Sequence, residues 1–140
     1  TFEAAAFLRR AGADTAEVKK LFQNDLEGTI AKYAIIQNAK LYREKIAIAV
    51  VDHTVGRIVA AQAADELLNI IGIDTSFVLY PDGERVIISA RSMGDTNVQV
   101  ILEKLGGGGN AAAAGGQISG KSLSQVATEL TQAIDQYLEG

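Results

Sequence analysis

About a third of the way along the chain, the spacing of its apolar residues changes. Up to roughly residue 45 they recur at helical intervals. Ile46 to Val51 is then an unbroken apolar run rich in β-branched residues. A run of that length and composition reads as a strand covered on both faces, because a strand open to water on one side would alternate apolar with polar. A strand with two covered faces needs a layer on each side of its sheet, which restricts the chain to a layered α/β architecture.

The rest of the chain fits that frame. Phe2, Ala5, Ala6 and Leu8 make a short apolar face that stops at Ala11–Gly12. Asp14 to Glu17 and Asn24 to Glu27 both have the spacing of a capping box, so helix starts are expected there. Val18, Leu21, Phe22, Leu26, Ile30, Tyr33, Ala34 and Leu41 continue at helical intervals. After Ile46–Val51, the Ala-rich stretch Val55 to Ile71 reads as a helix stopped by Gly72. Thr75 to Tyr80 and Val86 to Ala90 flank Pro81-Asp82-Gly83 and form a hairpin. Thr96 to Gln99 opens a short helix that ends near Leu105, Ala113 to Ser119 is a last strand, and Ser122 to Gln125 caps a final helix running to about Leu138. The expectation is an α/β domain with a mixed sheet of about five strands flanked by helices, occupying residues 45–140. Residues 1–44 form a helical connector. The chain opens on Thr1 inside a helical pattern, which reads as a piece of a longer protein.

Composition removes several functions. At 140 residues and 48% hydrophobic, the chain has the size of one domain and can bury a core. The net charge of −4 argues against holding a long polyanion through a basic face, though not against a small phosphorylated ligand in a local pocket. Without cysteine there is no thiolate metal site and no thiol nucleophile. A single histidine, His53, cannot build a typical zinc centre and reads as a turn residue. No carboxylate pair stands out as acid and base, so no catalytic residue and no metal ligand is assigned. No apolar run approaches the ~18 residues of a membrane helix, and no membrane contact is expected.

The most informative segment is Gly106-Gly107-Gly108-Gly109-Asn110, followed by Ala111 to Ala114 and Gly115-Gly116. Four successive glycines cost backbone entropy that a plain turn does not require. They let the main chain approach a ligand closely and aim N–H groups at phosphate or a base edge. The segment is neither a Walker A loop nor a dinucleotide fingerprint, since it ends a helix instead of opening one. Arg91 and Ser92 end the second hairpin strand, where a guanidinium can grip phosphate. From spacing alone, a surface ion pair explains Arg91 better. Thr96 is explained by capping, and Asn97, beside it, is left as a candidate ligand at a helix start.

Taken together, Ile88-Ser89-Ala90-Arg91-Ser92, Asn97-Val98, the Gly106–Asn110 loop and Ala113-Ala114-Gly115-Gly116 resemble the DHH-associated domain of DHH-family phosphodiesterases. These include RecJ-type exonucleases, oligoribonucleases and cyclic-dinucleotide phosphodiesterases. The segments Thr1–Ala5, Leu8-Arg9, Gly12–Asp14 and Val18–Leu21 are similar to the connector of membrane-bound cyclic-di-AMP phosphodiesterases of Gram-positive bacteria.

The resemblance implies a preceding DHH domain with two manganese ions that carries the chemistry, and no cofactor in this chain. Here it implies a substrate-binding role for Arg91, Ser92, Asn97, Gly107, Gly108, Gly109 and Asn110. Asn110 stands where the family usually has histidine, so the charge that a histidine could carry is absent. The implied partners are a cyclic or linear dinucleotide and the parent's own DHH domain. Homodimerisation is left open. The implied location is the cytoplasm, with the parent anchored in the cell membrane. The competing readings are the same domain in an oligoribonuclease or RecJ-like exonuclease, a non-catalytic RNA-binding appendage of the kind found on alanyl-tRNA synthetases, and an interaction module whose glycine loop is a linker.

Overall fold

The structure is a computed structural model that describes residues 15–140, with side chains from residue 26 onward. The expected features at Phe2–Gly12 and the cap at Asp14 lie outside the described residues. The chain divides into two compact units, Thr1–Ala31 and Lys32–Gly140. In the first unit, the described residues belong to helix α1 (Thr15–Gln37), which continues into the second. Its backbone runs straight through Asn24, so the capping spacing there marks no helix start.

The second unit is built on a six-stranded mixed sheet in the order β1-β2-β3-β4-β6-β5. The strands are β1 (Ala39–Tyr42), β2 (Ile46–Val50), β3 (Thr75–Asp82), β4 (Arg85–Ser92), β5 (Gly108–Gly109) and β6 (Ala113–Ser119). The helices are α2 (Arg57–Leu67), α3 (Val98–Glu103) and α4 (Leu123–Glu139). Only β2 and β3 pair in parallel, with α2 as the crossover between them. All other neighbours are antiparallel.

Two of the six strands were not expected from the sequence. Leu41, read as helical, lies in edge strand β1, where its side chain is exposed. Arg43 and Glu44, both at positive φ, turn the chain back into β2. The other is the two-residue strand β5, which no residue periodicity can announce. Helix α2 ends at Leu67, four residues short of the expected end. Ile70 and Ile71 follow in an exposed turn that closes at Gly72, φ +93°.

Strand alternation sends successive side chains to opposite faces and divides the core in two. On one face, Ile46, Ile48, Phe77, Leu79, Val86 and Ile88 pack against Val98, Ile101 and Leu102 of α3 and Val126, Leu130 and Ile134 of α4. On the other, Ala47, Ala49, Val51, Val78, Tyr80 and Ile87 pack against Ala60, Ala63, Ala64 and Leu67 of α2, with Ile35 of α1. The alanines of α2 bring the helix close enough for Ser76 Oγ to donate to the Ala64 carbonyl at 2.6 Å. Helix α2 covers β3 and β4 but stops short of β6, and that leaves one corner of the sheet open. Helix α4 starts with a complete capping box, Ser122 with Gln125, as its spacing indicates. Near its end, Asp135 accepts from Tyr42 Oη and Arg43 Nε, which fastens the β1–β2 turn to this helix.

Leu79 is fully buried at the centre of the sheet. Leu79→Ala is expected to lower unfolding stability by about 2–5 kcal/mol, read from the shift in urea midpoint at constant m-value.

Candidate functional site

The Gly-rich segment turns back from α3 and runs antiparallel to β6. The Gly107 N–H donates to the Leu102 carbonyl at 2.8 Å, which ends the helix. Gly108 then pairs with Gly115, and Gly109 with Ala114. The approach is too close for side chains. A Cβ on Gly107 would lie 2.5 Å from the Gly115 carbonyl oxygen. One on Gly109, at φ +147°, would lie 2.5 Å from Ala114 Cα. Two of the glycines are therefore needed by the backbone contact itself. The loop is not a loose linker: its main chain is paired, and Asn110 closes it. Asn110 N–H donates to the Ala113 carbonyl at 2.8 Å, while its side-chain carbonyl accepts from the N–H groups of Ala112 (3.0 Å) and Ala113 (2.9 Å).

Asn110 thus has its oxygen engaged by the loop, and its amide NH2 is the group left for a ligand. The same loop is tied to two more of the residues singled out in the sequence. The Ala112 carbonyl accepts from Ser92 N–H at 2.9 Å, and the Ala111 carbonyl accepts from Val98 N–H at 3.2 Å. Arg91 pairs across the sheet with Ala113. Arg91, Ser92, Asn97 and Asn110 therefore gather at one end of the β4–β6 pair.

Each is already partly engaged. Arg91 Nε donates to Asp65 of α2 at 3.0 Å, and a second nitrogen donates to the Ala90 carbonyl at 2.8 Å. This is the surface ion pair that spacing favoured. Asp65 is well exposed, so the pair is only partly desolvated. Ser92 is buried, and its Oγ accepts from Gly94 N–H at 3.3 Å. The helix cap falls on Asn97 instead of Thr96. The Asn97 side-chain oxygen accepts from Gln99 N–H at 3.0 Å and Val100 N–H at 3.3 Å, and its own N–H donates to Tyr137 Oη. Asn97 is the cap, its side chain reaching two of the free amides of α3.

On the α2 face of the sheet, the glycine loop borders an open cleft of about 520 Å³. Of the residues picked from the sequence, Gly107 and Gly108 line it. Gly109 and the Arg91 cluster do not. The other lining residues with side chains are Arg57, Tyr80, Ile87, Ile88, Ser89 and Gln117. Sequence reasoning passed over Arg57, Tyr80 and Gln117. Strand alternation places only Ile87 and Ser89 on the face of Arg91, and no sequence signal marks the other three. Burial raises the Tyr80 hydroxyl pKa above its usual value, partly opposed by the nearby Arg57 charge and reinforced by Asp82. His53 sits in an exposed turn, its Nδ1 3.0 Å from Asp52 Oδ1, which holds the Asp52 carboxyl below its ordinary pKa. Among the described residues, no group of three or more His, Cys, Asp or Glu could hold a metal ion, so these residues do not fit manganese. Nor is any described helix long and apolar enough to cross a membrane.

A six-stranded mixed sheet with helices on both faces and a glycine strand closing on β6 defines the class as a layered α/β domain. Residues 43–140 match the DHHA1 domain, and the chain belongs to that family. It is similar along its whole length to the cyclic-di-AMP phosphodiesterase GdpP of Bacillus subtilis (42% identity) and to the cyclic-di-AMP phosphodiesterase PdeA of Listeria monocytogenes (39%). The chain spans 22% of the length of each of these relatives. Among solved structures, an exopolyphosphatase-related protein from Bacteroides fragilis shares the fold, with a TM-score of 0.71 at 20% identity over 97% of this chain and 43% of that one.

The two glycines make a paired prediction. Gly109→Ala is expected to cost more than about 1 kcal/mol of stability, because the new Cβ meets backbone and the φ is strained. Gly108→Ala, whose Cβ would meet nothing within 4 Å, is expected to lie within about 0.5 kcal/mol of wild type. Parallel urea denaturation of both variants checks the contrast.

Proposed function

We propose that this domain holds the nucleotide substrate of a longer phosphodiesterase acting on cyclic-di-AMP or its linear product. Hydrolysis belongs to the preceding DHH domain of that protein, which carries manganese and is anchored to the membrane. The observation that carries this reading is the fastening of the Asn110 loop onto the end of β4. It sets a guanidinium, an amide and close-approach glycine backbone at one corner of the sheet. Two relatives of about 40% identity named as cyclic-di-AMP phosphodiesterases support the choice of substrate.

The chemistry of the corner suits a dinucleotide. The Arg91 guanidinium is already oriented by Asp65, which reduces the rotamer entropy lost on gripping a phosphate. Asn110 offers its NH2 as a neutral donor, so substrate affinity through this residue is independent of pH in the range where histidine would titrate.

The test is calorimetric titration of this chain with cyclic-di-AMP, its linear dinucleotide and a short oligoribonucleotide. Selective binding of the adenine dinucleotides is expected, weakened by about 1–3 kcal/mol in Arg91→Ala. Preference for the oligonucleotide favours the exonuclease reading instead. Absence of binding by all three rejects the proposal for this chain.

A further inference from the structure

The cleft beside the glycine loop contains a feature that the Arg91 cluster leaves unexplained. Tyr80 is 1% exposed, and its hydroxyl is the one buried side-chain polar atom without a hydrogen-bond partner among the described residues. A hydroxyl buried without a partner costs stability, and such groups are few in folded proteins. Tyr80 lines the same cleft as Arg57, the first residue of α2.

The head of this 11-residue helix is unusual in three respects. Its cap residue is Gly56, which offers no side chain to the free amides. The first turn has no acidic residue. Arg57 itself is exposed and has no ion-pair partner among the described residues. A helix start normally attracts carboxylates, and here it carries a cation.

The other polar groups on the cleft point the same way. Gln117 has its side-chain oxygen occupied by Arg85 at 2.8 Å, which leaves its NH2 as a donor. Ser89 adds a hydroxyl, and no carboxylate lines the cleft. Asp82, whose charge reaches the Tyr80 hydroxyl, lies on the hairpin outside the lining. A cleft furnished mainly with donors and one free guanidinium matches a ligand that only accepts, and a phosphoryl group is the common one.

We propose that Arg57 and Tyr80 form an anion subsite at the head of α2. It receives a phosphoryl group of the nucleotide whose remainder lies along the glycine loop. The last clause rests on the function proposed above, while the anion subsite itself does not.

The experiment uses this chain, its Arg57→Ala and Tyr80→Phe variants, and two probes: inorganic phosphate and the linear adenine dinucleotide carrying a 5′-phosphate. Tyr80→Phe removes only the partnerless hydroxyl, so its melting midpoint without ligand is expected to rise. Its dissociation constant for the dinucleotide is expected to rise about tenfold, the lower range for a lost bond to a charged group. Arg57→Ala is expected to weaken the dinucleotide by a similar factor and to abolish the stabilisation by phosphate seen in wild type. Dinucleotide binding that is unchanged in both variants overturns the subsite and leaves the proposed function standing. Phosphate stabilisation that depends on Arg57, without dinucleotide binding, upholds the subsite and rejects the proposed function. Stabilisation of wild type by neither probe overturns both.

Discussion

Strand β4 is paired along its length on both sides, with β3 from Asp82 to Thr75 and with β6 from Ser119 to Ala113. Its side chains are buried on both faces at Val86, Ile87 and Ile88. Every other part of the second unit is placed relative to this strand. The α2 layer lies on one face, the α3–α4 layer on the other, and the glycine strand is two places away through β6. A β4 that is satisfied on four sides cannot shift register without exposing a core face. Arg91, at its end, is therefore fixed in position by the sheet, and Ser92 by β3 and the Ala112 carbonyl of the loop.

That placement explains how an acidic chain can gather oriented hydrogen-bond donors at one corner of its sheet. The donors are few, but each is oriented by a different element: Arg91 by Asp65 of α2, Asn110 by its own loop, and the loop by β4 and α3. Orientation replaces abundance of charge. Such an arrangement suits recognition by position, whereas a long polyanion is held mainly by summed charge.

Most of this architecture was legible in the sequence wherever periodicity was strong. Ile46–Val50, the hairpin around Gly83, Ala113–Ser119 and the Ser122 capping box all stand where pattern placed them. The reading failed where the physical cause is not periodic. Strand β1 is an exposed edge whose Leu41 continues a helical spacing by coincidence, and β5 exists only because two glycines allow backbone to touch backbone. The cap moved from Thr96 to Asn97 because both residue types cap helices and spacing alone does not choose between them. For the candidate site, the motif residues were visible as a string, but Tyr80 and Arg57 were not. A core tyrosine before a turn and an arginine at a helix start become notable only when the tertiary fold shows one hydroxyl partnerless and both side chains on a single cleft.

The two margins of the sheet are unequal. At one, β5 consists of two glycines and gives an incoming chain almost no ladder to extend. At the other, β1 is four residues long and carries a solvent-facing Leu41, with Lys40 as its one charged residue. Of the two margins, only the β1 side therefore offers a ladder that another strand could extend, and it lies at the far end of the sheet from the glycine corner.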